Sequence, residues 1–137
     1  MLQFGILLHS LVVGFMIFFM AVVSPTIFKV LDETNSGVFL RQLFPRMFLY
    51  GLIAMLLAFL TTLNSQLNIY WIISAISSIF FAINLYIITP KINYHRDEAK
   101  LGNSLSEKKF KQFHLFSVAL FILQLLGSLY LLLIYYY

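Results

Sequence analysis

Four apolar stretches, roughly residues 2–28, 47–64, 68–89 and 112–135, decide what this chain can fold into. Each is long enough to cross a hydrocarbon core of ~30 Å as a helix. In lipid a segment must satisfy its own backbone hydrogen bonds, which selects helices over open sheet. The 137 residues are nearly used up by four spans and three connections, so residues 1–137 read as one domain. The predicted fold is an all-α integral membrane protein, an up-down bundle of four transmembrane helices. Only 10% of the residues are charged, against ~25% in soluble domains, and a water-soluble core is excluded. The first run has no basic residue before Lys29 and is longer than the about 7–15 residues of a signal-peptide core, so it is expected to remain as a helix.

Charge orients the bundle. Lys29, Arg41 and Arg46 lie around the first connection, and Lys91, Arg96, Lys100, Lys108, Lys109 and Lys111 lie in the third. The second connection and both termini carry no basic residue. The positive-inside rule then makes the first and third connections cytoplasmic and puts both ends outside, N-out and C-out. The expected location is a bacterial inner (cytoplasmic) membrane. The net charge of +4 resides on the cytoplasmic face, where it favours anionic lipid headgroups over nucleic acid. With no cysteine there is no disulfide, thiolate nucleophile or thiolate metal ligand. No phosphate loop, zinc-protease motif or nucleophile elbow is present, and the balance leans away from an enzyme.

Spans 1 and 3 are predicted to end at Ser24-Pro25 and Thr89-Pro90, each followed by a basic connection of about twenty residues. The spacing of the two prolines hints at two helical hairpins repeated in parallel. Asp32 to Gly37 reads as a turn, Val38 to Phe44 as a short helix in the headgroup region, and Ser104 to Glu107 as a capping box opening helix 4. Asn64 to Asn68 is short enough to make helices 2 and 3 antiparallel neighbours. Tyr70, Trp71 and Tyr135 to Tyr137 fall where an aromatic belt would sit. Small residues Ser10, Gly14, Gly51, Ala54, Ala58 and Thr62 allow close helix packing, or a homodimer face.

Charges are absent from the span interiors, leaving neutral polar groups as the functional clue. Ser74, Ser77, Phe81 and Asn84 form a stripe on helix 3. His114, Ser117, Phe121, Gln124 and Ser128 form one on helix 4, and the two are expected to face each other. At ~1.5 Å per residue, Asn84, His114 and Ser117 are predicted to cluster at the inner mouth, with Gln124 near the midplane. This candidate site competes with plain interhelical hydrogen bonding. His9, separate near the outer face, lies about 20 Å from His114 along the normal, too far to share one haem iron. His95 reads as a solvated loop histidine. The scattered methionines make no copper(I) ladder. No cofactor is required by the sequence; haem b or copper is the alternative.

The pattern resembles the transmembrane protein 205-like family, four-helix membrane proteins whose shared domain has no established function. The resemblance rests on Leu8-His9, Ser24-Pro25-Thr26-Ile27-Phe28, Leu43-Phe44-Pro45, Asn84 with Pro90-Lys91, and Phe110 through His114 with Ser117 and Gln124. It departs where the family often has tryptophan in helix 1 and this chain has Phe15, Phe18 and Phe19. It also departs at Leu115 and Phe121, where the family often has Gly and Asn. The resemblance implies a four-helix bundle in which His9, Asn84, His114 and Ser117 belong to a shared pattern. More distantly, the layout is similar to copper-resistance membrane proteins and the small haem-biosynthetic protoporphyrinogen oxidase. The function expected is a non-enzymatic membrane protein, an accessory or structural subunit of a larger membrane complex that contacts other subunits or itself. The alternative is a haem- or metal-associated oxidoreductase or transporter using the His114 cluster.

Overall fold

In a computed structural model, which describes Met1–Tyr137 throughout, four long helices account for nearly the whole chain. They are α1 (Leu2–Val30), α2 (Glu33–Thr62), α3 (Ile69–Lys100) and α4 (Ser104–Tyr136), each long and apolar enough to cross a membrane. Every helix packs on its neighbour in sequence and α1 packs on α4, closing a ring in which α1 faces α3, and α2 faces α4, across the diagonals. The exterior is apolar: Leu7, Leu11, Leu56, Leu60, Ile79 and Leu123 all point outward. Buried serines, Gln124, Asn84 and His9 lie inside. An apolar surface over a polar-seamed interior is what a lipid solvent selects, because lipid supplies no hydrogen-bond partner.

The helices are longer than predicted and the connections correspondingly shorter. Asp32 caps α2, its Oδ1 accepting from the Asn35 amide at 2.8 Å, so the expected turn at Asp32–Gly37 is the first turn of that helix. The expected headgroup helix at Val38–Phe44 is continuous with it through Pro45. The twenty-residue third connection shrinks to Leu101–Asn103. Gly102 adopts φ +92°, its amide bonds the Ala99 carbonyl, and the Asn103 amide reaches back to Glu98. This is a Schellman ending, which a left-handed glycine permits. Asn103 then caps α4 through the Ser106 amide, one residue before the expected capping box. The charged residues at 91–100 that read as loop form a polar helix.

Neither Ser/Thr-Pro site ends its helix. Each follows a π-helical turn, Phe19–Val23 in α1 and Asn84–Ile88 in α3, closed by Ser24 N–H bonding the Phe19 carbonyl and Thr89 N–H bonding Asn84. Proline has no N–H and crowds the carbonyl four residues before it. The wider turn accommodates that carbonyl without breaking the helix. Thr26 also donates its hydroxyl to the Val22 carbonyl at 2.6 Å.

Leu8, Val12, Met16, Phe48, Ala54, Met55, Ala58, Phe81 and Phe121 form the main core. Gly51 is a slot for the Phe81 ring: a Cβ there would lie 2.5 Å from two of its carbons. The small residues of α2 are therefore spent on internal packing. Tyr70, expected in the aromatic belt, is instead buried with Ile6 and Leu131 because its helix faces the bundle there. Trp71 does lie at that rim, edge-on to Phe59.

Candidate functional site

The antiparallel seam between α3 and α4 is the backbone of the site. His9 is wholly buried and enters this seam from α1, with Nε2 2.9 Å from Ser74 Oγ and Nδ1 2.9 Å from Ser128 Oγ. Ser74 donates its hydroxyl proton to the Tyr70 carbonyl, so it accepts from His9 Nε2–H. In the neutral ring Nδ1 is then the acceptor for Ser128. One turn along, Gln124 donates to the Ser77 carbonyl at 3.0 Å. Further toward the charged end, His95 Nδ1 meets Ser106 Oγ at 3.2 Å. The register bracketed by these pairs places Asn84 opposite Ser117, and Ile88 opposite His114.

The two stripes thus face each other, but the residues divide differently from the predicted cluster. His9 is not separate from the seam; it is clasped by both stripes. Both its ring nitrogens are engaged, which removes it as a second histidine for His114 to share. His114 lies exposed and stacked on Phe110, with ring centroids 6.1 Å apart. His95 is no loop histidine: its ring lies flat on Phe113, 5.6 Å away. Asn84 is fully buried, yet neither its Oδ1 nor its Nδ2 has a partner, and Gln124 Oε1 is likewise unpartnered. Buried amide groups are almost always satisfied, so these orphans mark positions where something further is needed.

Beside this seam lies a cavity of about 270 Å³. It lies beside the π turn of α1. Before Phe19, α1 packs against α4; over Phe19–Val23 its backbone approaches no other helix, and Ser24–Val30 touches only α2. The gap is walled by Phe19, Phe28, Phe44, Phe48, Phe121 and neighbouring aliphatic side chains, with His114, Ser117, Asn93 and Arg41 as its main polar groups. Phe19 and Phe121 meet edge-on at 6.3 Å. Ser117 and His114 share this cavity; Asn84 and Gln124 stand outside its lining. The aromatic wall was partly visible in sequence as the Phe44–Phe48 cluster. Arg41 and Asn93 carry no such signal in the sequence, because their positions read as headgroup helix and connection.

Arg41 bonds Asp97 at 2.6 Å across the ends of α2 and α3. Asp97 lies on the polar extension of α3, beyond the apolar span. The Arg41 hydrogen bond holds its carboxyl below the usual carboxylate range, reinforced by the charges of Arg41, Lys100 and Arg96. Lys111 pairs with Glu107 one turn before it, on the exposed face of α4. All fourteen formal charges, nine basic and five acidic, occupy this end of the bundle. No three His, Asp or Glu side chains come together as a metal would need.

Fold and site together define a four-helix membrane protein with one charged end, an internal polar seam and an aromatic cavity. The chain belongs to DUF4149, a domain of unknown function, which matches residues 7–101. That match covers most of α1 and all of α2 and α3; the α4 side of the seam and cavity lies beyond it. No curated protein and no solved structure matches the chain. Nothing in the comparisons supports the resemblance to the transmembrane protein 205-like family or to the copper-resistance proteins.

Proposed function

We propose that this is a non-enzymatic integral membrane protein that binds a membrane-dissolved amphiphile in the cavity between α1 and α4. The observation that carries the reading is the cavity itself: an aromatic chamber of about 270 Å³, at the level where the apolar spans meet the charged end. An acyl or isoprenoid chain fits the phenylalanine wall, and its head would meet the polar groups beside it. The charged end faces the cytoplasm in this reading, and Lys108 and Lys109 contact anionic lipid there. The protein would reside in a bacterial inner membrane.

The accessory-subunit reading loses much of its motive, since Gly51, Ala54 and Ala58 are used within the bundle. On α1, half-buried Ser10 and exposed Gly14, the latter with open space around it, still leave a small-residue face for a neighbouring subunit. The haem or metal reading used the His114 cluster, and that cluster is not gathered: His114 is exposed on the cavity wall while Asn84 and Gln124 stand outside its lining. Purification in mild detergent followed by solvent extraction tests the amphiphile reading. An apolar compound should co-purify with the native chain and be lost from Val118→Trp, whose indole would fill the mouth. Equal recovery from both proteins would refute it.

A further inference from the structure

Asn84 is the buried group that the fold leaves without an explanation. It is 0% exposed, and both ends of its amide are unpartnered. Leaving a buried amide unmade is costly, and an apolar residue of similar size would avoid that cost. Its position is specific. Asn84 opens the π turn of α3, its backbone carbonyl taken by Thr89, and the seam register sets it opposite Ser117. Ser117 borders the cavity and is 8% exposed. Asn84 therefore stands next to Ser117 and one turn nearer the charged end than Phe81, although it is not itself part of the cavity's lining. Gln124, with its own orphaned oxygen, stands further from the charged end.

We propose that Asn84 is the recognition group for the head of the cavity's ligand, and that this head is uncharged and both donates and accepts a hydrogen bond. The inference rests on the amphiphile reading above and deepens it. Asn84 offers one free donor, Nδ2, and one free acceptor, Oδ1. A hydroxyl supplies the complement to both. A carboxylate would present only acceptors, leaving Oδ1 orphaned, and it would bring a charge beside apolar walls. The cation in the lining cannot neutralise it without cost, because Arg41 is committed to Asp97 at 2.6 Å. A bare hydrocarbon would leave the whole amide unmade. The ligand class is thus a neutral long-chain alcohol or a lipid with an equivalent hydroxyl head, passing Ser117 to reach Asn84. A resident water is the competing occupant.

The test uses the full chain in proteoliposomes and three photoactivatable probes of equal chain length: an alcohol, an alkane and a carboxylate. Labelling is mapped to cavity residues. The alcohol should label about fivefold more than the alkane or the carboxylate, the advantage of roughly one hydrogen bond. Asn84→Leu should bring the alcohol down to the alkane's level without lowering the thermal midpoint, since it removes an orphaned amide. Asn84→Met, unbranched and of similar reach, makes the same measurement should leucine disturb the fold. Equal labelling by alcohol and alkane, or an alcohol preference that survives both substitutions, overturns the head-group assignment and leaves Asn84 to water. If no probe labels the cavity in the native chain, the amphiphile reading falls and this inference with it.

Discussion

His9 shows how one side chain can be misplaced by a correct depth estimate. Its distance from His114 along the helix axes put it apart from the candidate cluster, and the two histidines do lie at different levels. Depth alone did not reveal its lateral direction, toward the centre of the bundle, where Ser74 and Ser128 clasp it from two helices at 2.9 Å each. These bonds tie α1 to α3 across the diagonal, where the backbones do not touch. Truncation removes both bonds and leaves a cavity among buried groups. His9→Ala should therefore cost about 2–4 kcal/mol of stability, most of it from lost packing and the remainder from hydrogen bonds worth roughly 0.6 each in membranes. Unfolding in mixed micelles measures this; an unchanged midpoint would mean the clasp carries no weight. The facing stripes of α3 and α4 were legible because a 3-4-3-4 polar spacing in an apolar helix admits few arrangements. The exposure of His114 was not, since a residue at the end of a span can turn outward without leaving its register.

Among the elements, the helix ends were the least legible. Proline after serine or threonine reads as a stop, and charged runs read as solvated connection, yet α1 and α3 continue for about two and three turns beyond their π turns. The signals that continue them are local: a wider turn before the proline, the Asp32 cap, and the Gly102–Asn103 pair that ends one helix and caps the next. These extensions matter because Arg41 on α2 and Asp97 on α3 join them beside the cavity. Asp97 has a folded pKa below its unfolded value, so its contribution is present above the unfolded value and is lost as pH falls through the folded one. Below about pH 4 the docking of α3's polar end on α2 should therefore loosen. Hydrogen-exchange protection factors at residues 93–100 should fall with acidification in the native chain. In Asp97→Asn they should start low and change little. A native profile flat from pH 6 to pH 3 would show that the pair does not hold these ends together.

At the scale of the whole molecule, helix length and charge placement must agree. Helices of 29 to 33 residues measure about 45 Å at ~1.5 Å per residue, well beyond a ~30 Å hydrocarbon core. The surplus falls at one end, because α1, α2, α3 and α4 all carry their charges there, and the opposite end has only the uncharged turn at residues 63–68 and the termini. Such a bundle can sit in a membrane in one register, with its polar extensions projecting into water and the cavity at the level of one leaflet. Which leaflet depends on orientation, and the positive-inside rule assigns the charged end to the cytoplasm. The absence of native cysteine makes this easy to test with single substitutions and a membrane-impermeant maleimide. Tyr137→Cys, at the fully exposed C-terminal residue, should label in intact cells. Leu101→Cys, 82% exposed in the turn between α3 and α4, should label only after the membrane is permeabilised. The reverse pattern would turn the protein over, place the cavity in the outer leaflet and remove the case for contact with anionic cytoplasmic lipid. The seam and the cavity would survive that reversal, because they depend on how the helices pack and not on which side of the membrane they face.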